Sequence, residues 1–352
     1  MTELRWELAE ADKAQGSLFD DPVFERQPGR GEFRGMEFLH VRAHRIINEV
    51  RGSPFGFRYT INAYRGCSHA CTYCFARPSH TYLDLDADRD FERRIVVKVN
   101  AVSLLQAELD PRRWPGELIA MGTNTDPYQR AEGKYRLTRG IVEVLAERAN
   151  PFSILTKSTL VLRDLSLLAE AAKRTSVRVN VSIGTLDEAV WRATEPGTPH
   201  PRRRVRAVEQ LNAAGVPCGV LVAPVLPDLS DGPEQLDAVV GACVAAGARS
   251  ISTVLLHLRP GVKEVFLARL AETHPELADS YRRRYRDRVY APRADQQALD
   301  GLVRDLVRQH GGIAADRTDP RHHTGRSPTP DAAGPAGPVA PVDDPATQLT
   351  LL

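Results

Sequence analysis

The sequence predicts an α/β protein, a partial (β/α)6 TIM-like barrel with C-terminal helices and disordered tails. Three observations carry that reading. Short β-branched or apolar runs alternate with longer helical patterns between residues 59 and 256, the signature of βα units around a parallel sheet. Six such units follow one another, short of the eight that close a barrel. The residues just past the expected strands are polar, and in βα folds the chemistry sits at the carboxyl ends of the strands.

The first strand is expected at 59–64, Tyr59-Thr-Ile-Asn-Ala-Tyr64, an aromatic and β-branched run that opens directly into a cysteine-rich loop. A helix at 101–109 precedes the second strand, 118–122. The next helix, 138–148, places Ile141, Val142, Val144 and Leu145 at amphipathic spacing, and the third strand is read at 152–156. Helix 164–173 repeats the pattern with Leu165, Leu167, Leu168 and Ala171 and leads to the fourth strand, 177–183. Helix 202–214 ends at Gly215 before strand 216–222, and helix 233–246 ends at Gly247 before strand 250–256. A glycine just past a helix supplies the left-handed residue that releases the chain. Two more helical stretches, 262–285 and 295–310, follow the last strand.

This divides the chain into a flexible leader (1–35), a barrel core (36–260), a helical extension (261–315) and a tail (316–352). The leader mixes charge, Gly and Pro. The tail carries Pro320, Pro328, Pro330, Pro335, Pro338 and Pro341 among Ala, Gly and Asp. Neither end buries enough apolar surface to order itself.

The chain has 352 residues, 42% of them hydrophobic, enough for a real core. Its formal net charge of +2 neither demands nor excludes a nucleic-acid partner. The amino terminus is acidic and lacks an apolar run, so no signal or transit peptide is expected. No stretch is apolar for the roughly 18 residues a membrane span needs, which points to the cytoplasm, where thiols stay reduced.

Cys67, Cys71 and Cys74 lie within eight residues, and only Cys218 and Cys243 occur elsewhere. Thiolates are soft ligands for zinc or iron–sulfur clusters. Three of them leave a fourth ligand position open, since structural zinc and all-cysteine clusters want four. The residues alone leave open a zinc knot completed by His69 or His80.

Cys67-x-x-x-Cys71-x-x-Cys74, with Tyr73 before the last cysteine and a strand before the loop, resembles the radical S-adenosylmethionine superfamily, and within it the group similar to spore photoproduct lyase. The likeness extends through Asn62-Ala-Tyr-Arg-Gly-Cys67, Cys74-Phe-Ala-Arg77, Gly122-Thr-Asn-Thr-Asp-Pro-Tyr-Gln129 with Glu132, and Thr156-Lys-Ser158 with Arg163-Asp164. It continues in Ser182-Ile-Gly-Thr-Leu186, Glu195-Pro-Gly197 with Arg204, Ala214-Gly215 and Ala223-Pro224. The resemblance implies a [4Fe–4S] cluster on Cys67, Cys71 and Cys74. One iron would remain free to chelate S-adenosyl-L-methionine, whose reductive cleavage yields methionine and a 5′-deoxyadenosyl radical. It implies Thr123, Asn124, Thr125 and Asp126, with Lys157, around the methionine moiety. Ser182 and Arg204 would meet its carboxylate or ribose, and Tyr73 would pack near the adenine. An electron donor of flavodoxin or ferredoxin type would reduce the cluster. Without the resemblance, 122–126 reads as a polar turn and Lys157 as a snorkelling strand-end lysine.

One departure concerns substrate. Spore photoproduct lyase uses a hydrogen-donating cysteine beyond the cluster motif, and this chain has no cysteine between Phe75 and Pro217. Cys218, alternating with Val220 and Val222, is read either as facing the barrel interior or as a small core residue.

Two arginine runs, Arg202-Arg203-Arg204 with Arg206, and Arg282 to Arg288 interleaved with Tyr281, Tyr285 and Tyr290, suit either phosphates and stacked bases or solvated helix faces. Gln15-Gly-Ser-Leu-Phe19 and Gln348-Leu-Thr-Leu-Leu352 resemble the short peptides with which bacterial replication and repair proteins bind the DNA sliding clamp. Three functions follow: a radical enzyme acting on nucleic acid in DNA repair or base modification, the same chemistry on a small molecule or protein side chain, and a non-catalytic iron–sulfur or zinc protein that binds nucleic acid.

Overall fold

The structure is a computed structural model that describes residues 23–50 and 56–313. The clamp-like segments at 15–19 and 348–352, most of the expected leader and the expected tail lie outside the described residues. Among the described residues no helix is long and apolar enough to cross a membrane.

The strands are β1 (Glu25–Pro28), β2 (Glu37–Val41), β3 (Ile47–Glu49), β4 (Tyr59–Ile61), β5 (Tyr64–Arg65), β6 (Arg94–Lys98), β7 (Ile119–Met121), β8 (Phe152–Thr156), β9 (Val177–Ser182), β10 (Cys218–Val225) and β11 (Ile251–Leu255). A seven-stranded sheet has the order β11-β10-β9-β8-β7-β4-β3. Its six strands from β4 to β11 are parallel and sequential, as the alternating pattern predicts, and β3 closes the edge antiparallel to β4.

Register sorts the side chains onto two faces, because strand residues alternate. Ile154 pairs with Val179 and Val179 with Cys218, a row that packs under the helices in the main core. The other face carries Thr60, Ala120, Ser153 and Arg178 in one row, then Leu155, Asn180 and Gly219, then Ser182, Leu221 and Ser252. A closed barrel fills its interior with bulky branched residues. Here the concave face is built largely of polar and small residues, with Arg178 and two leucines among them.

Two helices lie early in the chain, α1 (Arg89–Arg93) and α2 (Ala101–Glu108). Then come α3 (Ala131–Tyr135), α4 (Leu137–Glu147), α5 (Leu165–Arg174), α6 (Glu188–Thr194), which packs beside the cysteine loop, α7 (Pro201–Ala213) and α8 (Pro233–Ala245). The extension is α9 (Val262–Thr273), α10 (Pro275–Arg284) and α11 (Arg293–Gln309). Gly215 and Gly247 end α7 and α8 at φ +81° and +74°, the left-handed release read from the sequence.

Three features correct the sequence reading. The single helix expected at 262–285 is two, because Pro275 lacks an N–H and starts a new helix at its first position. The first strand ends at Ile61, and β5 leaves for a second sheet of order β1-β2-β6-β5. Within the expected leader, β1 pairs antiparallel with β2, supported by Phe33 packed edge-on against Phe38 and by Arg26 near Glu37 at 3.5 Å. Its polar side chains carry no strand signal, since the pairing partner supplies the stability.

Candidate active site

The cysteine loop leaves β5 through Gly66 at φ +82°, where a Cβ would stand 2.7 Å from the His80 ring and 2.9 Å from the Phe91 carbonyl. Only glycine fits there. The loop's own turns run from Ala70 N–H to Cys67 O (3.3 Å) and from Cys74 N–H to Cys71 O (3.2 Å), with Ala70 left-handed at φ 54°. Every side of the loop is held. Cys67 N–H donates to Phe91 O, Ser68 N–H to Gln129 Oε1 and Thr72 N–H to Thr194 O, while Gly197 N–H reaches His69 O. Gln129 and Thr125 both donate to Gly66 O, at 2.9 and 2.7 Å. Fully buried Arg77 clamps Cys71 O through Nε and Nη2 at 3.0 and 2.9 Å, and is neutralised by Glu92 at 2.5 Å.

All three thiols are free, Cys67 and Cys71 buried and Cys74 half-buried. Burial pushes each thiol up, Cys71 to about 12, because desolvation penalises the thiolate. A bound metal reverses that preference and takes the thiol as thiolate, so loading releases protons.

Opposite the loop the strand ends converge on Glu195. It accepts from Tyr73 Oη, from Lys157 Nζ at 3.0 Å and from Arg204 Nη2 at 2.5 Å. Lys157 also donates to Ser182 Oγ (2.8 Å) and the Ala223 carbonyl (3.0 Å), and lies 5.6 Å from the Tyr73 ring centre. Burial works to raise the Glu195 pKa, yet the charges of Arg204 and Lys157 win and hold it at about 2. Tyr73, Lys157, Ser182 and Arg204, drawn from four separate connections, are thus one buried network.

Thr123 to Asp126 form a second group, largely spent on the protein itself. Asn62 binds both Thr123 Oγ1 and the Asn124 N–H, at 3.3 and 3.1 Å. Asp126 accepts from Thr156 Oγ1 (2.6 Å), from the Lys157 N–H (2.7 Å) and from His69 Nδ1 (3.3 Å). Burial opposes its ionisation, and His69 overcomes that to lower its pKa. A cleft of about 410 Å³ opens beside His69, between Tyr128, Arg130, Ser158, Arg163 and Thr198.

Glu195, Gln129 and Arg77 brace the loop and the network, and sequence reasoning did not single them out as site residues although all three lie inside the quoted stretches. The interior placement weighed for Cys218 is corrected. Its register partner Val179 is on the helix-facing side, and Cys218 is fully buried in the main core with Cys243. It has no access to the concave face. The tyrosines of the second arginine run are also not stacking platforms: Tyr281 and Tyr285 are fully buried and donate to Pro227 O and Leu256 O.

The donor set fits an iron–sulfur group: three soft thiols on a braced, buried loop, with their carbonyls tied back and no disulfide. Among the described residues no three His, Cys, Asp or Glu side chains gather around one ion position, whereas a cluster spreads its ligands over several irons. Each histidine of the zinc reading has a committed ring nitrogen, His69 toward Asp126 and His80 toward Arg94 O at 2.8 Å.

An open parallel barrel with a three-thiol loop at its carboxyl face defines a cofactor-dependent enzyme that positions substrate above the sheet. The family model of the radical SAM superfamily matches residues 61–238, and the chain belongs to that superfamily. It is an enzyme of the radical SAM type, and the family implies an iron–sulfur cluster and S-adenosylmethionine. An uncharacterised protein of Mycobacterium tuberculosis is 46% identical over 280 residues, covering 79% of this chain and 82% of the relative. One from Methanocaldococcus jannaschii is 32% identical over 196 residues, covering 56% and 70%. Among solved structures, spore photoproduct lyase complexed with dinucleoside spore photoproduct aligns with a TM-score of 0.59 at 18% identity, covering 88% of this chain and 92% of that one. A doubly substituted variant of that lyase, with bound AdoMet and the same dinucleoside, aligns with a TM-score of 0.58 and the same coverage. The fold is therefore that of spore photoproduct lyase.

Proposed function

We propose that Cys67, Cys71 and Cys74 hold a [4Fe–4S] cluster and that the enzyme acts on nucleic acid, in DNA repair or base modification. The observation that carries the chemistry is the braced three-thiol loop beside the Lys157–Ser182–Glu195–Arg204 network at the mouth of an open barrel. When bound, the cluster supplies the electron that cleaves S-adenosylmethionine and so generates a 5′-deoxyadenosyl radical. The chain's own part is positioning. Arg77 and Gly66 hold the loop's shape, and Glu195, which also accepts from Tyr73, orients Lys157 and Arg204 through its hydrogen bonds. Ser182 and Arg204 suit a carboxylate or ribose, and Thr123 to Asp126 with Lys157 suit the methionine moiety. A reductant of flavodoxin or ferredoxin type and a cytoplasmic setting belong to the same reading.

The nucleic-acid assignment is supported by the fold shared with a lyase solved with a dinucleoside lesion, and by the two clamp-like peptides. The missing cysteine between Phe75 and Pro217, and the core position of Cys218, argue for a reaction without a protein-thiol hydrogen donor. Anaerobic reconstitution with S-adenosylmethionine, a reductant and total nucleic acid tests the proposal. The expected result is a brown protein that forms 5′-deoxyadenosine and alters a nucleotide, with both activities absent in Cys71→Ala. Formation of 5′-deoxyadenosine with neither binding nor change of nucleic acid would move the substrate to a small molecule or protein side chain.

A further inference from the structure

The arginines at the barrel mouth have no reason within the fold to be where they are. Helix α7 follows β9, so its amino end lies at the carboxyl face of the sheet with the site. Its first turn holds Arg202 and Arg203 and no acidic residue, against the positive end of the helix dipole. Arg206 lies one turn on from Arg202, an i,i+4 pair of like charges that costs helix stability. All three are exposed. The second run is brought to the same face from the other side. The Tyr281 hydroxyl donates to Pro227 O, just past β10, and the Tyr285 hydroxyl to Leu256 O, just past β11. These bonds fix the end of α10 over the mouth and leave Arg282, Arg283, Arg286 and Arg288 exposed.

Carboxylates at the mouth are largely committed elsewhere. Glu188 takes Arg192 and His200, Asp279 takes Arg282, and Asp228 faces Arg284. Asp287 offsets part of the second run. Among the described residues Arg202, Arg203, Arg206, Arg283, Arg286 and Arg288 have no ion-pair partner. At the opposite end of the sheet, exposed Arg148 and Arg249 lie at or just past helix carboxyl ends, where the dipole accounts for them.

We propose that these two arginine clusters, above β9 to β11, form a docking surface for the phosphate backbone of a nucleic-acid duplex. Single-strand binders combine charge with exposed aromatic platforms. Here the two tyrosines within the run are buried as anchors, and Tyr290 stacks on His257 at 5.5 Å between ring centres. Beside the first cluster Trp191 and His200 are half-buried and packed edge-on against each other at 5.0 Å between ring centres. Charge therefore outweighs stacking on this surface, which suits the dense, regular phosphates of a duplex and carries no base readout. The inference rests on the nucleic-acid reading above and names its mode of binding.

The test is fluorescence anisotropy of the full-length, reconstituted protein with a short labelled DNA duplex over a salt series, with the matching single strand as comparison. Arg283→Gln/Arg286→Gln/Arg288→Gln is expected to weaken duplex binding at least roughly tenfold and to flatten the log–log salt slope by about 0.9 per arginine, roughly 2.7 for the three. Arg202→Gln/Arg203→Gln is expected to flatten it by about 1.8. Formation of 5′-deoxyadenosine without substrate should be unchanged in both variants, which checks that the fold and site survive. Wild-type binding that neither variant alters would overturn the surface and leave the nucleic-acid reading standing. Tighter binding of the single strand would overturn the duplex assignment. Cleavage of S-adenosylmethionine without binding of either form would overturn the docking surface, and the same result with total nucleic acid would overturn the nucleic-acid reading while the enzyme class remained.

Discussion

Glu195 is the carboxylate on which Tyr73, Lys157 and Arg204 converge, and its surroundings make it a stability determinant as well as a positioning group. Burial alone would raise its pKa, but the two cations hold it at about 2 against an ordinary 4.5. A carboxylate depressed in the folded state contributes stability that is fully present above the unfolded value and is lost as pH falls through the folded one. That contribution, on the order of 3 kcal/mol, should fade between about pH 4.5 and pH 2. Glu195→Gln removes it and strands the buried Arg204 together with half-buried Lys157, so a loss of roughly 3–5 kcal/mol at neutral pH is expected. Urea titrations at several pH values check both points. The wild-type curve should steepen below pH 4.5 relative to that of Glu195→Gln, and parallel curves would sink the assignment. The three cysteines were legible as candidate ligands because they cluster within eight residues of sequence. Glu195 was not, because its partners lie 122, 38 and 9 residues away and no local pattern encodes their meeting.

Among elements, the connection between α6 and α7 braces the loop. Thr194 O accepts from Thr72 N–H, His69 O accepts from Gly197 N–H, and a Cβ on Gly197 would stand 2.2 Å from Ser68 O. Backbone cannot yield as a flexible side chain can, so Gly197→Ala should push the cysteine loop outward and lower the iron bound per chain, read by metal analysis after reconstitution. Thermal melting of the apoprotein should change much less, since the main core is untouched. A full iron complement in the variant would show that the brace is dispensable. The parallel strands behind this loop were readable from their β-branched runs and from the glycines that end α7 and α8. Helices α1, α3 and α6 were not. None of them exceeds seven residues, too short for a 3.6-residue period to stand out.

For the whole molecule, the site depends on two sheets sharing one chain crossing. β4 lies in the barrel and β5, only two residues further on, pairs with β6 in the small sheet, so the cysteine loop starts at the junction. The small sheet went unread because its four strands come from 25 to 98 in an order, β1-β2-β6-β5, that mixes parallel and antiparallel pairing. The clamp-like segments, outside the described residues, make a separate prediction about partners. A chain shortened by residues 1–20 and 345–352 should lose capture of the bacterial sliding clamp in a pull-down while still forming 5′-deoxyadenosine. Equal capture by both chains would end that idea.

The sequence by itself determined the superfamily, through the motifs that resemble it, and the order of the parallel strands. Ligand spacing, hydrophobic periodicity and helix-ending glycines are all local, and local patterns survive in one dimension. Tertiary structure alone decided which polar groups meet. It closed Tyr73, Lys157, Ser182 and Arg204 around Glu195, turned Cys218 toward the helices by the parity of its strand, and buried Tyr281 and Tyr285 while leaving their neighbouring arginines in water. The reason is physical. Burial and charge pairing depend on distances across the fold, and which face a strand residue takes is settled only by register with its neighbours.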